Sequence, residues 1–177
     1  LQMAAVEESM PPDREMERPR ELARRAKGFM VNTLDDLRRM IQDLRPSVLD
    51  DMGLVAAVRR YSGTHLEAAG IRSEFQTSGR SVEMDSDVET AVFRILQEAI
   101  NNAARHSGAK TVSVTMNFEP DLLWATVEDD GSGFDVEAVR TSSKGVGMDG
   151  MEERAELIGG RLTVVSRLGH GTRIALE

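Results

Sequence analysis

The chain has 177 residues, enough for one compact domain with an appendage and too few for most two-domain enzymes. Hydrophobic residues at 40% and charged residues at 29% exclude wholesale disorder. A formal charge of −8, from 30 acidic against 22 basic residues, has the wrong sign for a protein that holds nucleic acid by neutralising its phosphates. Without cysteine there is no disulfide framework, thiolate zinc site or cysteine nucleophile. The longest apolar run, Leu54 to Val58, falls far short of the roughly 20 residues that a membrane-spanning helix needs, so no membrane contact is expected of this chain. A start at Leu1 without a signal-peptide pattern reads as a piece of a longer protein.

Leu1 to Met10 reads as the end of a helix, and Pro11-Pro12-Asp13 as a turn. From Glu21 to Arg45 the segment lacks proline, and Met30, Thr33, Leu34, Leu37, Met40, Ile41 and Leu44 recur at helical spacing, which predicts a long helix with one apolar stripe. Pro46 ends it. The segment is a helical hairpin whose stripe asks for further helices, a second copy of the chain being one source. A short helix, Leu54 to Ala68, is closed by Gly70, and Ile71 to Thr77 is a strand. Asp85 opens a long helix through Arg105, stopped by Ser107-Gly108. Thr111 to Phe118 and Leu122 to Glu128 form a hairpin about Glu119-Pro120-Asp121. After a Gly/Ser-rich loop come a helix from Met148 to Ile158 and strands Arg161 to Ser166 and Thr172 to Leu176. Helices in one layer and an antiparallel or mixed sheet in the other make the fold class α+β.

Glycine clusters occur at Asp129-Asp130-Gly131-Ser132-Gly133, Gly145-Val146-Gly147-Met148-Asp149-Gly150 and Gly169-His170-Gly171-Thr172. The second matches Gly-x-Gly-x-x-Gly, but Thr141-Ser142-Ser143-Lys144 before it is no apolar strand, so the dinucleotide-binding context is missing. What remains is physical: glycines let backbone N–H groups approach an anion, and a helix starting near Met148 points its positive end at one. Taken singly, each cluster is equally a set of turn glycines. Glu98, Asn102 and Arg105, spaced four and three apart, share one helix face beside the apolar stripe Ala91, Ile95, Ala99 and Ala103. A carboxylate and a carboxamide there need partners if buried, and a magnesium ion with its waters would supply them; the alternative for this helix alone is a solvated polar face.

The order Glu-x-x-x-Asn on a helix, Asp-x-Gly-x-Gly after a strand, Gly-x-Gly-Met opening a helix and Gly-x-Gly-Thr before the last strand resembles the ATP-binding domain of sensor histidine kinases. Their superfamily also holds DNA gyrase, the heat-shock chaperones and the mismatch-repair ATPases. Asp43-Leu44-Arg45-Pro46, Leu49-Asp50-Asp51-Met52-Gly53-Leu54 and Gly150-Met151-x-x-Arg154-Ala155-x-x-x-Gly159-Gly160 are similar to the subfamily that partners nitrate-regulator-type response regulators. The resemblance implies a two-layer sandwich of a mixed sheet and helices, the Bergerat-type ATP-binding fold. It also implies a division into residues 1–50, a partial dimerisation and phosphoacceptor hairpin, 51–69, a linking helix, and 70–177, the catalytic ATP-binding domain.

By motif position the resemblance implies ATP and Mg²⁺ as ligands. Asn102 would ligate the metal, and Glu98 would order its water shell or assist proton movement. Asp129 would accept the adenine amino group, with Gly131 and Gly133 letting the backbone pass the base. Gly145, Gly147 and Met148 would form the phosphate-side loop, Arg105 or Lys144 would neutralise the triphosphate, and Gly171 and Thr172 would line the adenine end. Residues 134–144 would be a lid loop. The implied activity is an ATP-dependent protein-histidine kinase, cytoplasmic, dimeric at full length, passing phosphoryl to a response regulator. Of the chain's histidines, His65, His106 and His170, none sits in the expected acceptor pattern, so the acceptor is expected upstream of Leu1. Gln97 stands where many such kinases carry histidine, although glutamine is frequent there in the resembled subfamily. The alternative is a regulatory or anti-sigma-type module that binds nucleotide without phosphotransfer.

Overall fold

The structure is a computed structural model that describes residues 46–80, 84–140 and 146–177, together with Glu21, Leu22 and Gly28, which are helical. Two compact units divide the chain, Leu1–Arg45 and Pro46–Glu177. Apart from those three residues, the helical hairpin expected over the first unit lies outside the described residues.

The second unit opens with helix α1 (Ser47–Ala68), longer at its start than the expected Leu54–Ala68. The difference has a local cause: Pro46 sits at the N-cap, a turn of helix comes next, and Gly53 breaks the path with φ 73° and ψ 169° before the helix resumes at Leu54. Gly70 closes α1 as expected. Its N–H donates to the Glu67 carbonyl at 2.9 Å and that of Ile71 to the Leu66 carbonyl at 2.8 Å, while the buried side chains of Ile71 and Leu66 belong to one core. Ile71 is thereby spent on the cap, and strand β1 runs Arg72–Ser78.

Helix α2 (Ser86–Asn102) is next, with Asp85 at its N-cap and Asp87 and Glu89 in a first turn that favours negative charge. It buries Val92, Phe93, Ile95, Leu96, Ala99 and Ile100, a wider face than the four-residue stripe expected. Regular helix ends at Asn102 and not at Arg105, because Ala103–Ser107 widens into a π-helical turn before Gly108 takes φ 62°. Strands β2 (Thr111–Glu119) and β3 (Leu122–Asp129) form the expected hairpin. A short helix α3 (Val136–Arg140) occupies part of the stretch expected to be a lid loop. Helix α4 (Val146–Leu157), strand β4 (Leu162–Ser166) and strand β5 (Thr172–Leu176) complete the unit. Gly159 and Gly160 end α4 with the same pair of cap bonds, to Glu156 and Ala155.

The five strands lie in the order β1-β2-β3-β5-β4, with β1 parallel to β2 and the other pairs antiparallel, so the sheet is mixed and the fold is α+β. One face carries the alternating Val112, Val114, Met116 and Phe118 of β2, Ala125 and Val127 of β3, and Ile174 and Leu176 of β5. Helices α1, α2 and α4 cover it, and the core runs between the layers. Each of the fully enclosed Leu66, Ile95, Leu96 and Ile100 contributes about 1.5–3 kcal/mol by leaving water. This layer holds α2 rigidly, with its C-terminal half beside the end of β3. No helix among the described residues is long and apolar enough to cross a membrane.

Candidate functional site

The α2 face that carries Glu98 and Asn102 is partly buried, and α4 packs against α2 there. At Gly147, the second residue of α4, a Cβ would lie 2.8 Å from Glu98 Oε1 and 3.7 Å from Asn102 Nδ2. Glycine is what allows the helix start to approach these side chains. A helix start presents N–H groups without intrahelical partners, which would favour an anion beside the carboxylate and carboxamide of this corner. Among the described residues no three or more His, Cys, Asp or Glu side chains gather as a metal cage. Glu98 and Asn102 bring a carboxylate and a carboxamide oxygen to this corner, donor types that could hold Mg²⁺ together with phosphate and water. Met148 is buried beneath this corner and Arg105 is exposed on the π-helical turn. Lys144 and Gly145 lie outside the described residues.

Asp129 ends β3 and is 9% exposed, the one carboxylate among the described buried residues. Gly131 donates its N–H to Asp129 Oδ1 at 2.9 Å, and the N–H and hydroxyl of Thr172 on β5 lie on the side that favours the ionised carboxylate. Burial pushes the carboxyl above its ordinary value, these groups hold the rise down, and the neighbouring charge of Asp130 adds to it. An ionised carboxylate has about four acceptor positions, so the Gly131 bond leaves room for a further N–H. Asp130 behaves in the opposite sense. Its Oδ1 accepts the N–H groups of Lys110 at 2.7 Å and Thr111 at 2.9 Å, and the Thr111 backbone bond is the main reason its carboxyl is held below the ordinary value. The stability it contributes is present above the usual carboxylate range and is lost as pH falls through its lowered value.

The loops around Asp129 are tied to both neighbouring elements. The backbone at Gly131 lies against the Ser107 carbonyl, which accepts the Ser132 N–H at 2.8 Å, so the π-helical turn after Asn102 touches the loop after Asp129. Gly133 lies against the Arg167 and Gly171 carbonyls, and Gly171 against the Asp129 carbonyl. Ser166 locks the corner: its hydroxyl accepts the Phe134 N–H at 2.9 Å and stands 3.0 Å from Thr172 Oγ1. Glu98, Asn102 and Gly147 thus meet at one corner, and Asp129, Gly131, Gly133, Gly171 and Thr172 at another, joined through Ser107. Sequence alone does not single out Ser107 or Ser166. A helix-stopping serine and a serine at a strand end carry no local signal beyond turn propensity.

Arg140 of α3 pairs with Glu152 of α4 in a close ion pair. His65, His106 and His170 are all exposed, and none lies among these corner residues.

A domain with this sheet order, and with a helix start set against Glu98 and Asn102, defines a class that comparison makes specific. The family model described as histidine kinase-, DNA gyrase B-, and HSP90-like ATPase matches residues 87–177, and the chain belongs to that family. Over 155 residues it is 36% identical to the oxygen sensor histidine kinase NreB of Staphylococcus carnosus (strain TM300), an alignment spanning 88% of this chain and 44% of NreB. The chain thus matches less than half the length of that relative. Among solved structures, the histidine kinase AdeS of Acinetobacter baumannii superposes with a TM-score of 0.58 at 16% identity, over 99% of this chain and 89% of AdeS. The histidine kinase domain of the Erythrobacter litoralis EL346 blue-light activated kinase gives 0.55 at 19% identity, over 70% of this chain and 59% of the other. At these identities the two structures share the fold.

Proposed function

We propose that residues 70–177 are the ATP-binding catalytic domain of a sensor histidine kinase, with 51–69 a linking helix and 1–50 part of a dimerisation hairpin. The observation that carries this reading is the meeting of Gly147 with Glu98 and Asn102 at the positive start of α4, in a chain 36% identical to a sensor histidine kinase. The Asp129 carboxylate accepts the adenine amino group at a remaining acceptor position, beside Gly131, Gly133, Gly171 and Thr172. Gly145, Gly147 and Met148 serve as the phosphate-side loop, and Arg105 or Lys144 neutralises the triphosphate.

Asn102 holds Mg²⁺ through its side-chain oxygen, and the metal, when bound, offsets the charge of the phosphates. Glu98 orders the metal's water shell or takes the proton that the accepting imidazole loses. The reaction breaks the bond between the γ-phosphorus and the bridging oxygen of ATP, forms a phosphorus–nitrogen bond to histidine and releases ADP. The domain contributes positioning and charge neutralisation, since phosphoryl transfer leaves little covalent work for the protein. The acceptor is a histidine of a dimerisation hairpin other than His65, His106 and His170, and the phosphoryl passes on to an aspartate of a response regulator. The full-length protein acts as a cytoplasmic-facing homodimer.

The test is transfer of labelled γ-phosphate from Mg-ATP to a supplied helical hairpin bearing a histidine. Label on that histidine is the expected result; nucleotide binding without transfer would make this a regulatory module instead. In Asn102→Ala, the gain in ATP affinity on adding Mg²⁺ is expected to fall about tenfold, as for loss of a charge-assisted contact, while Mg²⁺-free ADP affinity stays unchanged. A calorimetric magnesium titration identical to that of the parent chain would remove the ligand role.

A further inference from the structure

Glu98 and Asn102 form one of two parallel rows on α2, and the second row, Gln97 and Asn101, faces a residue that the catalytic reading does not use. Tyr61 of α1 donates its hydroxyl to Asn101 Oδ1 at 2.8 Å, across 40 residues of sequence, with Gln97 close by. Gln97 is held in turn by Arg94, whose guanidinium donates to its Oε1 at 2.6 Å. The phenol ring is fixed from two sides. His65 stacks on it with 3.7 Å between centroids and 24° between planes, and Phe93 meets it edge-on at 6.0 Å.

Residues four apart on a helix lie one above the other, so the rows 97/101 and 98/102 are adjacent strips of one surface. The bond at Asn101 ties the last turn of α2 to α1 and so limits its rotation about its axis. That turn is the last regular one, since the π-helical segment begins at Ala103. Helical register changes immediately beyond Asn102, and π-helical turns recur where a helix carries function. The side chains that must meet Gly147 are therefore held from α1, because the chain beyond them departs from α-helical register. Glu98 and Arg105 both lie close enough for their charges to act on the phenol, which burial holds above its ordinary value.

We propose that Tyr61 is a positioning residue: by pinning Asn101 it sets the rotation of α2 that presents Glu98 and Asn102 to the magnesium-triphosphate end of the site. The inference rests on the nucleotide reading above and adds to it a residue outside the family motifs.

Tyr61 is the chain's sole tyrosine, so 3-fluorotyrosine labelling reports on it through a single ¹⁹F resonance. Adding Mg²⁺ to the ATP-saturated chain is expected to shift that resonance, and Asn102→Ala is expected to suppress the shift. A resonance that stays in place while Mg²⁺ strengthens ATP binding overturns the positioning role and leaves the nucleotide reading standing; a chain that binds no ATP overturns both. Tyr61→Phe keeps the ring between His65 and Phe93 and removes only the donor. Its Mg²⁺-free ADP affinity is expected to match the parent, while the gain in ATP affinity on adding Mg²⁺ falls about three- to tenfold, the range of one net hydrogen bond. Asn101→Ala in that background is expected to add little, since both changes cut the same link. An unaltered magnesium gain in Tyr61→Phe, or full additivity with Asn101→Ala, also overturns the proposal.

Discussion

Replacing Asp129 by asparagine is expected to lower ATP and ADP affinity about a hundredfold while leaving the fold intact. A hydrogen bond to a charged partner contributes about 1.5–3 kcal/mol, which alone is a factor of roughly ten to a hundred and fifty. Asparagine also turns an –NH₂ group toward a site where only acceptors are useful, so one orientation of the carboxamide opposes the adenine amine and the other opposes Gly131 or Thr172. Stability should suffer little. The Asp129 carboxyl is raised above its ordinary value chiefly by burial, so the folded state binds a proton more readily than the unfolded chain. For such a group the stabilising contribution is complete below the unfolded pKa and is lost as pH rises through the folded one. At neutral pH the charge of Asp129 therefore contributes nothing that asparagine would forfeit. Calorimetry together with thermal melts separates the outcomes: unchanged nucleotide affinity would remove the adenine assignment, whereas a collapsed melt would make Asp129 structural.

The same shift gives nucleotide binding an acid limb. The adenine amine prefers the ionised carboxylate, so affinity should decline as pH falls through the raised value of Asp129, at a higher pH than an ordinary aspartate would dictate. The decline should vanish in Asp129→Asn. Asp130 does not produce it, because its lowered carboxyl stays ionised over that window.

Much of this arrangement is legible in the sequence because its signals are local. The four-residue step from Glu98 to Asn102 places both on one helix face, the glycines at 131, 133, 147 and 171 mark close backbone approaches, and the alternation of Val112, Val114, Met116 and Phe118 reads directly as a half-buried strand. The features that escape are either too short or too distant. Helix α3 has five residues, fewer than any amphipathic period can reveal, and its Arg140–Glu152 ion pair joins it to a different helix. The π-helical turn leaves the pattern of Ala99 and Ala103 intact and changes the register only of the residues after Ala103. The link from Tyr61 to Asn101 spans 40 residues, and nothing near either residue announces it. The glycines of the two corners differ in kind, and a pair of matched substitutions brings that difference out.

Gly171→Ala is expected to destabilise the domain by about 3 kcal/mol or more and lower its melting temperature by about 10 °C. Gly171 has φ 73°, a region that costs an L-residue roughly 1–2 kcal/mol, and its Cβ would collide with the Asp129 carbonyl oxygen. That oxygen is backbone at the end of β3, where Asp129 pairs with Thr172, so the clash is relieved only by prying β5 from β3. Gly147→Ala makes the opposite case. No positive φ is involved, and alanine within a helix is favoured over glycine by about 0.5–1 kcal/mol. The colliding atom, Glu98 Oε1 at 2.8 Å, is the free end of a flexible side chain that can swing away. Thermal melts should therefore differ from the parent by no more than about 2 °C, while the magnesium-dependent gain in ATP affinity falls about tenfold because Glu98 is displaced and the helix start no longer reaches Asn102. If both variants lose stability together, Gly147 is a packing glycine and its meeting with Glu98 and Asn102 has no bearing on the nucleotide. If Gly147→Ala melts normally and binds Mg-ATP as tightly as the parent, the close approach of α4 to α2 serves the fold alone.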